Sequence, residues 1–555
     1  MPALLGINCF SHDTAACILV DGELIALAEE ERFNRDRHTK AFPDSAIAFC
    51  LRKAGLTIGE IDVVAVAQRP GRDLLLGAVD ALRRGAPKRL AAQTYIDARL
   101  YAKEIAFRKR YGFRGHLVRV GHHEAHAANA FFSSPFDSAA VLTVDRGGDF
   151  LSTSMAVGEG SHIRFIDQVA NPHSIGEVYS AITWYLGFLP NADEGKVMGL
   201  APYGEDGLVN AISEMLYPTR AGRFKVNLSW FGYQREGSPV SAKFYNVYGP
   251  KRVPETGITS RDKDLAYAVQ AVTENACIYI ANSLRQLTGQ ANLCLSGGVA
   301  LNSVMNAKLL EHCGFENIFI PPTASDAGNA LGAALWAWHH LMGNDRGWEM
   351  RHAFYGEEYA DEDIAVVLKR SGVPFREAVD PAAEAAELLT RGKVVGWFQG
   401  RAEVGPRALG ARSILADPRR SEMRDIVNAR VKRREWFRPF APSILAEHGH
   451  EYFERYYPTP FMTMVLPIKS DKKEVIPAVC HVDGTGRLQT VTKDDNPLFH
   501  QLIREFAHKT GVPVVLNTSF NVRGEPIVHR PEEAIADFLN SDMDAVVLGR
   551  YIVEK

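Results

Sequence analysis

The chain has 555 residues, of which 46% are hydrophobic and 23% charged, and its formal net charge is −3 at pH 7. This length predicts roughly two to four domains, and the composition is that of a globular protein. The near-neutral charge gives the whole molecule no electrostatic footprint for nucleic acid or an anionic membrane. The seven cysteines are scattered and form no CxxC pair. No stretch reaches the roughly 18 apolar residues of a membrane span, so a soluble, cytoplasmic protein is expected.

The N-terminus predicts a strand, a polar loop and a hairpin. Residues 3–7 read as a buried strand, and 17–20 and 23–28 read as two strands joined by an Asp-Gly turn. His12 lies in the polar loop, where an imidazole with an ordinary pKa of about 6.5 could act as a general base. The alternative is a plain hairpin with an incidental surface histidine.

Two histidines four residues apart form the first candidate metal site. On a helix, His122 and His126 project from one face, and imidazole is a good ligand for Zn, Fe, Mn or Co. Asp145 ends the apolar run 139–144, where a carboxylate is costly unless it is paired or bound to a metal. Asp326 could be a further ligand or only a helix N-cap. The competing interpretation is a solvated helix face with Asp145 in a turn.

A strand, a polar turn and a strand recur after these histidines. Residues 139–144 and 151–157 read as strands around a turn at 145–149, which repeats the N-terminal layout and suggests two related lobes. The stretch 193–204 reads as a loop because of its Gly and Pro residues, and a long amphipathic helix is predicted over about 264–287.

Later segments indicate places for anionic ligands. Gly297 and Gly298 lie between a predicted strand and a helix, where backbone N–H groups can meet a nucleotide. Arg407 and Arg412 are fenced by Gly and Pro within a dense cationic region, and arginine forks bind phosphate bidentately. Ordinary surface salt bridges are the alternative there. The basic segment 69–114 reads as a solvated helical pair or as a surface for an anionic partner.

Seven motifs, in one order along nearly the whole chain, resemble those of the NodU/CmcH family of O-carbamoyltransferases. They are His-His-Glu-Ala-His-Ala (122–127), Asp-Glu-Gly-Lys-Val-Met-Gly-Leu-Ala-Pro-Tyr-Gly (193–204), Ser-Gly-Gly-Val-Ala-Leu-Asn (296–302), Gly-Pro-Arg-Ala-Leu-Gly-Ala-Arg-Ser-Ile (405–414), Phe-Arg-Pro-Phe-Ala-Pro (437–442), His-Val-Asp-Gly-Thr-Gly-Arg-Leu-Gln (481–489) and Asn-Thr-Ser-Phe-Asn (517–521).

The resemblance implies an α/β protein with a two-lobed actin-like (ASKHA) domain over 1–350 and an α+β YrdC-type domain over 351–555. In such enzymes the YrdC-type domain uses carbamoyl phosphate and ATP to form carbamoyl-adenylate. The actin-like domain then transfers the carbamoyl group to a substrate hydroxyl, and AMP leaves. The expected cofactors are ATP with Mg, and a divalent metal for which Fe is favoured and Mn, Co or Zn are alternatives.

The resemblance also assigns roles residue by residue. The metal ligands are His122, His126, Asp145 and Asp326. The catalytic residues are His12, Arg407, Lys432, Arg438 and Arg487, with His12 expected to deprotonate the acceptor hydroxyl. The cofactor-binding residues are Ser296, Gly297, Gly298, Asn302, Gly328, Asn517 and Ser519.

The expected partners are carbamoyl phosphate and a hydroxylated small molecule of the secondary-metabolite kind, with no nucleic acid and no membrane; a homo-oligomer is left open. A tRNA-modifying threonylcarbamoyl-type transferase is the main rival. The basic segment 69–114 supports it, whereas the net charge of −3 opposes it. A hydrogenase-maturation carbamoyltransferase would carry acylphosphatase and cysteine zinc-finger segments. A nucleotide-binding regulator without activity would not need the metal and arginine positions.

Overall fold

The computed structural model describes residues 1–9, 12–69, 101–102, 104–233 and 238–555. Most of the basic segment 69–114, and with it the predicted helical pair, therefore lies outside the described residues. The chain forms two compact units. The first comprises Met1–Glu30, His38–Leu301 and Lys308–Met350, and the second comprises Glu31–Arg37, Asn302–Ala307 and Arg351–Lys555.

The first unit begins with a five-stranded mixed sheet. Its strands are β1 (Ala3–Asn8), β2 (Ala15–Val20), β3 (Glu23–Glu29), β4 (Val63–Val66) and β5 (His116–Arg119). Their order is β3-β2-β1-β4-β5, with β1 antiparallel to β2, β2 antiparallel to β3, and β1, β4 and β5 parallel. Asp21 and Gly22 have φ values of 50° and 83°, as a tight hairpin turn requires.

A second sheet in the same unit repeats this topology. Its strands are β6 (Ser138–Gly148), β7 (Leu151–Glu159), β8 (His162–Ala170), β11 (Asn292–Ser296) and β12 (Asn317–Phe319), while β9 (Leu216–Pro218) and β10 (Phe224–Val226) form a separate hairpin. The order β8-β7-β6-β11-β12 has the same parallel and antiparallel neighbours as the first sheet. The predicted actin-like fold with two related lobes is confirmed by this repetition.

Helices cover these sheets. The α-helices of the first unit include Asp44–Ala54, His122–Phe132, Ile175–Tyr185, Glu194–Leu200, Val209–Ser213, Ala242–Tyr248, Ser260–Thr288 and Asn329–Leu335, and Ser303–His312 has residues in both units. The longest of these begins at a capping box in which the Thr259 side chain accepts a hydrogen bond from the Asp262 N–H, and it ends at Gly289 with φ 68°.

Two local predictions are wrong. The stretch 193–204 is not a loop, because a helix occupies Glu194–Leu200 and a short 3₁₀ turn follows it. The acidic residues at its start suit a helix N-terminus, and the Gly and Pro residues interrupt the α-helix only after Leu200. Asp145 is not in a turn, because β6 continues through an irregularity to Gly148, which pairs with Leu151.

The helix Asn329–Leu335 is packed unusually closely on both sides. A Cβ added to Gly332 would lie 1.9 Å from the carbonyl oxygen of Ala125, in the helix that carries the histidines. A Cβ added to Gly6 in β1 would lie 2.0 Å from the carbonyl oxygen of Ala330. Small residues therefore let this helix approach the histidine helix, and the turn before it brings Asp326 with it.

The second unit is built on an eight-stranded mixed sheet. Its order is β13-β22-β21-β14-β15-β20-β16-β19. The strands are β13 (Arg376–Glu377), β14 (Val395–Phe398), β15 (Arg412–Ala416), β16 (Ala441–Leu445), β19 (Gln489–Val491), β20 (Val514–Ser519), β21 (Ala545–Leu548) and β22 (Tyr551–Glu554), with β17 (Val465–Pro467) and β18 (Thr485–Arg487) paired separately. Its helices include Glu31–Asn34, Asp361–Ser371, Pro381–Thr390, Glu422–Ile426, Gly449–Tyr452, Pro497–Thr510 and Pro531–Leu539.

Within the described ranges, no helix combines the length and apolar character that a bilayer crossing requires.

The close packing of Gly332 can be tested by adding one methyl group. We expect Gly332→Ala to lower the free energy of unfolding by about 1–3 kcal/mol, because the Ala125 carbonyl must move and this outweighs the better helix propensity of alanine. Gly195→Ala is the matched control, since Gly195 is also helical and nothing lies within 4 Å of the added Cβ. Urea denaturation measures both variants, and equal stabilities would contradict the packing argument.

Candidate functional site

Four buried side chains converge in the first unit. His122 and His126 come from one helix, Asp145 from β6, and Asp326 from the short turn before Asn329. The His122 Nε2 atom lies 3.1 Å from Asp145 Oδ2, 3.1 Å from His126 Nε2 and 3.5 Å from Asp326 Oδ1. The His126 Nε2 atom lies 3.4 Å from Asp326 Oδ1. The sequence prediction placed these four residues together, and the structure does bring them together.

We call His122, His126, Asp145 and Asp326 the metal group, because their side chains fit a metal ion. Nitrogen and oxygen ligands that lie about 2.0–2.2 Å from an ion are themselves about 2.8–3.6 Å apart in octahedral or tetrahedral geometry. The four distances above fall in this range. Two imidazoles and two carboxylates are a donor set that suits Fe, Mn, Co or Zn. The residues present therefore fit the metal that the resemblance implies.

The pKa shifts of these side chains also favour a bound cation. Burial raises the pKa of Asp145, but the hydrogen bond from His122 and the neighbouring histidine charges outweigh burial and hold that pKa well below its ordinary value. Burial lowers the pKa of His122, but the charges of Asp326 and Asp145 outweigh it and raise that pKa to about 10. Two buried carboxylates thus require positive charge beside them, which a divalent ion supplies.

The Ser-Gly-Gly motif at 296–298 makes hydrogen bonds with two of these four side chains. Gly298 donates its backbone N–H to Asp145 Oδ1 at 2.9 Å, and Ser296 Oγ lies 3.3 Å from His126 Nδ1 while donating to the Ala324 carbonyl at 3.1 Å. Gly297 has φ 97°, and a Cβ there would lie 2.2 Å from the Val144 carbonyl oxygen. The contacts seen for these residues orient two side chains of the group that fits a metal, and their predicted part in nucleotide binding stays a prediction.

Two other predicted cofactor residues make structural contacts. Asn302 Oδ1 accepts a hydrogen bond from the Met305 N–H at 3.1 Å, at the start of the Ser303–His312 helix. A Cβ on Gly328 would lie 1.9 Å from the Thr323 carbonyl oxygen, so this glycine permits a tight turn. Their assignment to a cofactor also stays a prediction.

His12 is the first member of a hydrogen-bonded group that the sequence did not reveal. Its Nδ1 lies 3.0 Å from Asp13 Oδ2, and the other oxygen of Asp13 lies 2.7 Å from His38 Nδ1. Burial lowers the pKa of His12, but the hydrogen bond with Asp13 and the charges of Asp326 and Asp145 outweigh it and raise the pKa to about 9. The adjacent His-Asp pair was visible in the sequence, whereas nothing in the pattern pointed to His38.

The second unit contains a crowded group of cations. We call Arg407, Lys432, Arg434, Arg438 and Arg487 the cationic cluster. Burial lowers the pKa of Arg407 to about 10, helped by the charges of Arg438 and Arg37. Burial and the neighbouring guanidinium groups hold the pKa values of Lys432, Arg434 and Arg487 well below their ordinary ranges. The four predicted cations lie together, and Arg434 joins them as a member the prediction missed.

Lys432 is fixed by oxygen atoms of the Asn-Thr-Ser-Phe-Asn motif. Its Nζ donates to the Ser519 carbonyl and the Asn521 carbonyl, both at 2.8 Å, and lies 3.3 Å from Ser519 Oγ. Asn517 donates from Nδ2 to the carbonyl of Ala408 at 3.2 Å, while its buried Oδ1 finds no hydrogen-bond partner in the described part of the chain. The motif is therefore attached both to Lys432 and to the residue after Arg407.

Comparisons with known proteins identify the family of this chain. The family model described as "Carbamoyltransferase N-terminus" matches residues 3–335, and the one described as "Carbamoyltransferase C-terminus" matches residues 386–555. The chain belongs to the carbamoyltransferase family. It is therefore a transferase, as the motifs predicted.

Several relatives of this carbamoyltransferase match along most of their length. An uncharacterized protein of Synechocystis sp. is 39% identical over 100% of this chain and 97% of its own. Nodulation protein NolNO of Sinorhizobium fredii is 37% identical over 99% of this chain and 80% of its own. Nodulation protein NolO of Bradyrhizobium diazoefficiens is 39% identical over 79% of each chain. Among solved structures, the ROK hexokinase of Thermus thermophilus aligns with a TM-score of 0.30 at 16% identity, over 62% of this chain and 100% of its own.

Arg412 of this carbamoyltransferase differs from the cationic cluster. Its side chain is fully buried, and its two Nη atoms donate to the carbonyl oxygens of Gln399, Ala411, Glu357 and Gly400 at 2.8–3.1 Å. Its guanidinium also lies over the Phe398 ring, 3.7 Å from the centroid. In contrast, no side-chain hydrogen bond or ion pair of Arg407 is found among the described residues. The segment between the Gly and Pro residues thus holds one arginine that is fixed by carbonyl oxygens and one whose side chain has no hydrogen bond or ion pair among the described residues.

This difference predicts opposite results from the same substitution. We expect Arg412→Lys to lower the free energy of unfolding by about 3 kcal/mol or more, because an ammonium group cannot reach carbonyl oxygens arranged for a fork. Arg407→Lys is the control and should change stability by no more than about 0.5 kcal/mol. Urea denaturation of both variants measures this, and the structural role of Arg412 is refuted if they unfold at the same midpoint.

Proposed function

We propose that this carbamoyltransferase consumes ATP and carbamoyl phosphate and carbamoylates a hydroxyl group of a small molecule, through carbamoyl-adenylate. Carbamoyl phosphate reacts with water to give carbamate and phosphate. Carbamate then displaces pyrophosphate from ATP, which forms carbamoyl-adenylate. The acceptor hydroxyl attacks the carbamoyl carbon, loses its proton and releases AMP. The cationic cluster would serve the first two steps, and the metal group with His12 would serve the third.

The observation that carries the proposal is the crowding of five cations in the cationic cluster. Like charges that lower one another's pKa values are costly unless an anion lies among them. Carbamoyl phosphate and the ATP phosphates are such anions, and a reaction that joins them needs guanidinium and ammonium groups at fixed positions. Lys432, held by the oxygens of Ser519 and Asn521, is positioned in this way.

In the first unit, a bound divalent ion would supply an electrophile that stabilises negative charge on the adenylate phosphate. His122, His126, Asp145 and Asp326 would hold it, and Gly298 would fix the orientation of Asp145. His12 would accept the proton of the acceptor hydroxyl, and Asp13 would orient the His12 ring through Nδ1, so that Nε2 is the basic atom.

Two of the described basic residues of the 69–114 segment are already paired with carboxylates, which weakens the support for the tRNA-modifying alternative. Arg69 pairs with Glu124 at 2.9 Å, and Arg110 pairs with Asp44 at 2.7 Å. Cations that are already paired with carboxylates offer little net charge to an RNA backbone. An acceptor that is a small hydroxylated molecule therefore remains our proposal.

The division of the reaction between the two units can be tested with two substitutions. We expect His122→Ala to abolish carbamoyl transfer but to leave carbamoyl-phosphate-dependent ATP–pyrophosphate exchange at the wild-type rate. We expect Arg407→Ala to remove the exchange itself, by a factor of about 100 or more, because a developing phosphate charge loses a preorganised donor.

Radiolabelled pyrophosphate measures the exchange, and mass spectrometry of a panel of hydroxylated natural products measures the gain of one carbamoyl group. Arg433→Ala is the matched control for the cationic cluster, since Arg433 lies in the same segment but is exposed. Loss of exchange in His122→Ala, or unchanged exchange in Arg407→Ala, would contradict the proposed division.

The pH dependence of transfer tests the role of His12. A general base must be neutral, so the rate rises with pH through the pKa of His12. Since the hydrogen bond with Asp13 raises that pKa, Asp13→Asn should lower it and move the rising limb of the rate profile to lower pH. The maximum rate should fall about 10- to 100-fold because the ring loses its orienting partner. The profile is measured between about pH 6 and pH 10.

Pyrophosphate exchange in Asp13→Asn serves as the internal control and should keep the wild-type profile. If the rising limb of the transfer-rate profile stayed in place or moved to higher pH in Asp13→Asn, this would contradict the assignment of His12 as the base oriented by Asp13.

A further inference from the structure

Asn329, the first residue of the helix that follows Asp326, faces the metal group. It is completely buried. Its Nδ2 lies 3.2 Å from His126 Nε2 and 3.5 Å from His122 Nδ1. Its Oδ1 is also buried and has no hydrogen-bond partner within the described residues. A buried amide with its oxygen unsatisfied and its nitrogen directed at two imidazoles needs an explanation.

The amide cannot keep this orientation when an ion is bound. His126 Nε2 is the ligand atom of that ring, because it is the nitrogen nearest His122 Nε2 and Asp326 Oδ1. Its lone pair would then be given to the ion and could accept no N–H. When His122 binds through Nε2, its Nδ1 carries a proton and likewise accepts nothing. Both neighbouring nitrogens therefore reject an N–H donor.

Rotating the amide by half a turn removes the conflict. The oxygen and nitrogen of an asparagine side chain exchange places with almost no change in shape, so their assignment follows from the hydrogen bonds available. In the rotated form the carbonyl oxygen occupies the position 3.2 Å from His126 Nε2. This distance lies within the separation expected of two ligands on one ion, about 2.8–3.6 Å.

We propose that Asn329 supplies its side-chain carbonyl oxygen as a fifth protein ligand of the metal centre. The inference rests on the metal centre of the proposed function and extends it. Such a set would offer the ion two nitrogens and three oxygens. It favours ions that accept six ligands, such as Fe²⁺, Mn²⁺ or Co²⁺, over a tetrahedral Zn²⁺.

Cobalt binding tests the proposal without any turnover. Co²⁺ is titrated into metal-free protein in competition with a chelator, which gives its Kd, and its visible absorption reports the number of ligands. We expect Asn329→Ala to raise the Kd for Co²⁺ about 10- to 100-fold and to change the intensity of the visible bands. Asn329→Asp keeps the shape and offers a charged oxygen, so it should bind Co²⁺ at least as tightly as the wild type.

Asn129→Ala is the matched control. Asn129 is a completely buried asparagine in the histidine helix, but its Nδ2 donates to the Thr323 carbonyl at 2.9 Å rather than facing a ligand nitrogen. Its substitution should leave the cobalt Kd and spectrum unchanged. Circular dichroism of the metal-free variants checks that each is folded, and Asn329→Asp provides the comparison if Asn329→Ala is not.

Two outcomes would overturn the proposal. One is a wild-type Kd and spectrum in Asn329→Ala. The other is weaker binding with an unchanged spectrum, which would mean that Asn329 only orients His122. Wild-type cobalt binding by His126→Ala would instead refute the metal centre itself. The cobalt Kd and spectrum do not depend on carbamoyl transfer. They therefore test the role of Asn329 even if the proposed reaction is wrong.

Discussion

The close approach of three backbone segments is the constraint on which the first unit depends. The helix Asn329–Leu335 lies between β1 and the histidine helix at distances that leave no room for a Cβ at Gly6 or Gly332. At ordinary helix separations, Asp326 would not reach two imidazoles that come from a different helix. Small residues thus decide the geometry of a metal group to which they contribute no atom.

The two units have opposite electrostatic problems. In the first, two buried carboxylates lie against two histidines, and in the second, five cations lie against the carboxylate of Glu435, which is 3.9 Å from Arg438. Either arrangement alone would reduce stability, since a buried charge is tolerated only beside an opposite one. Under the proposed function, binding of a metal in one unit and of phosphate anions in the other would remove both costs. The groups proposed to carry out carbamoyl transfer would then also be those that cost the fold most stability without ligands.

The sequence predicts correctly those features that depend on residues close together in the chain. The spacing of His122 and His126, the alternation of the strands and the Asp-Gly hairpin follow from helix and strand periodicity. Asp145 and Asp326 were candidates from the residues, each with a structural alternative, and the resemblance assigned both to one group, because no periodicity connects residues on β6 and on a distant turn. The same limit explains why His38 and Arg434 were missed: their importance lies in contacts made through the fold.

The errors have a common physical origin. Asp145 was placed in a turn because a charged residue at the end of an apolar run usually leaves the sheet. In this protein the strand continues, because the Gly298 N–H and the histidine pair satisfy the carboxylate inside it. Likewise, Arg407 and Arg412 look equivalent in sequence, yet carbonyl oxygens surround only one of them.

Whole-chain charge is an equally incomplete guide. A net charge of −3 argues against a nucleic-acid surface, and this argument concerns the long-range field. The net charge does not report how acidic and basic groups are separated inside the molecule. Charges inside the protein interact over a few ångströms and at low dielectric. The near-zero sum is the balance of 63 Lys and Arg against 66 Asp and Glu over the whole chain, and it does not report the two opposed local charges. A ligand of either sign meets the local charge, so individual contacts determine the chemistry of each site.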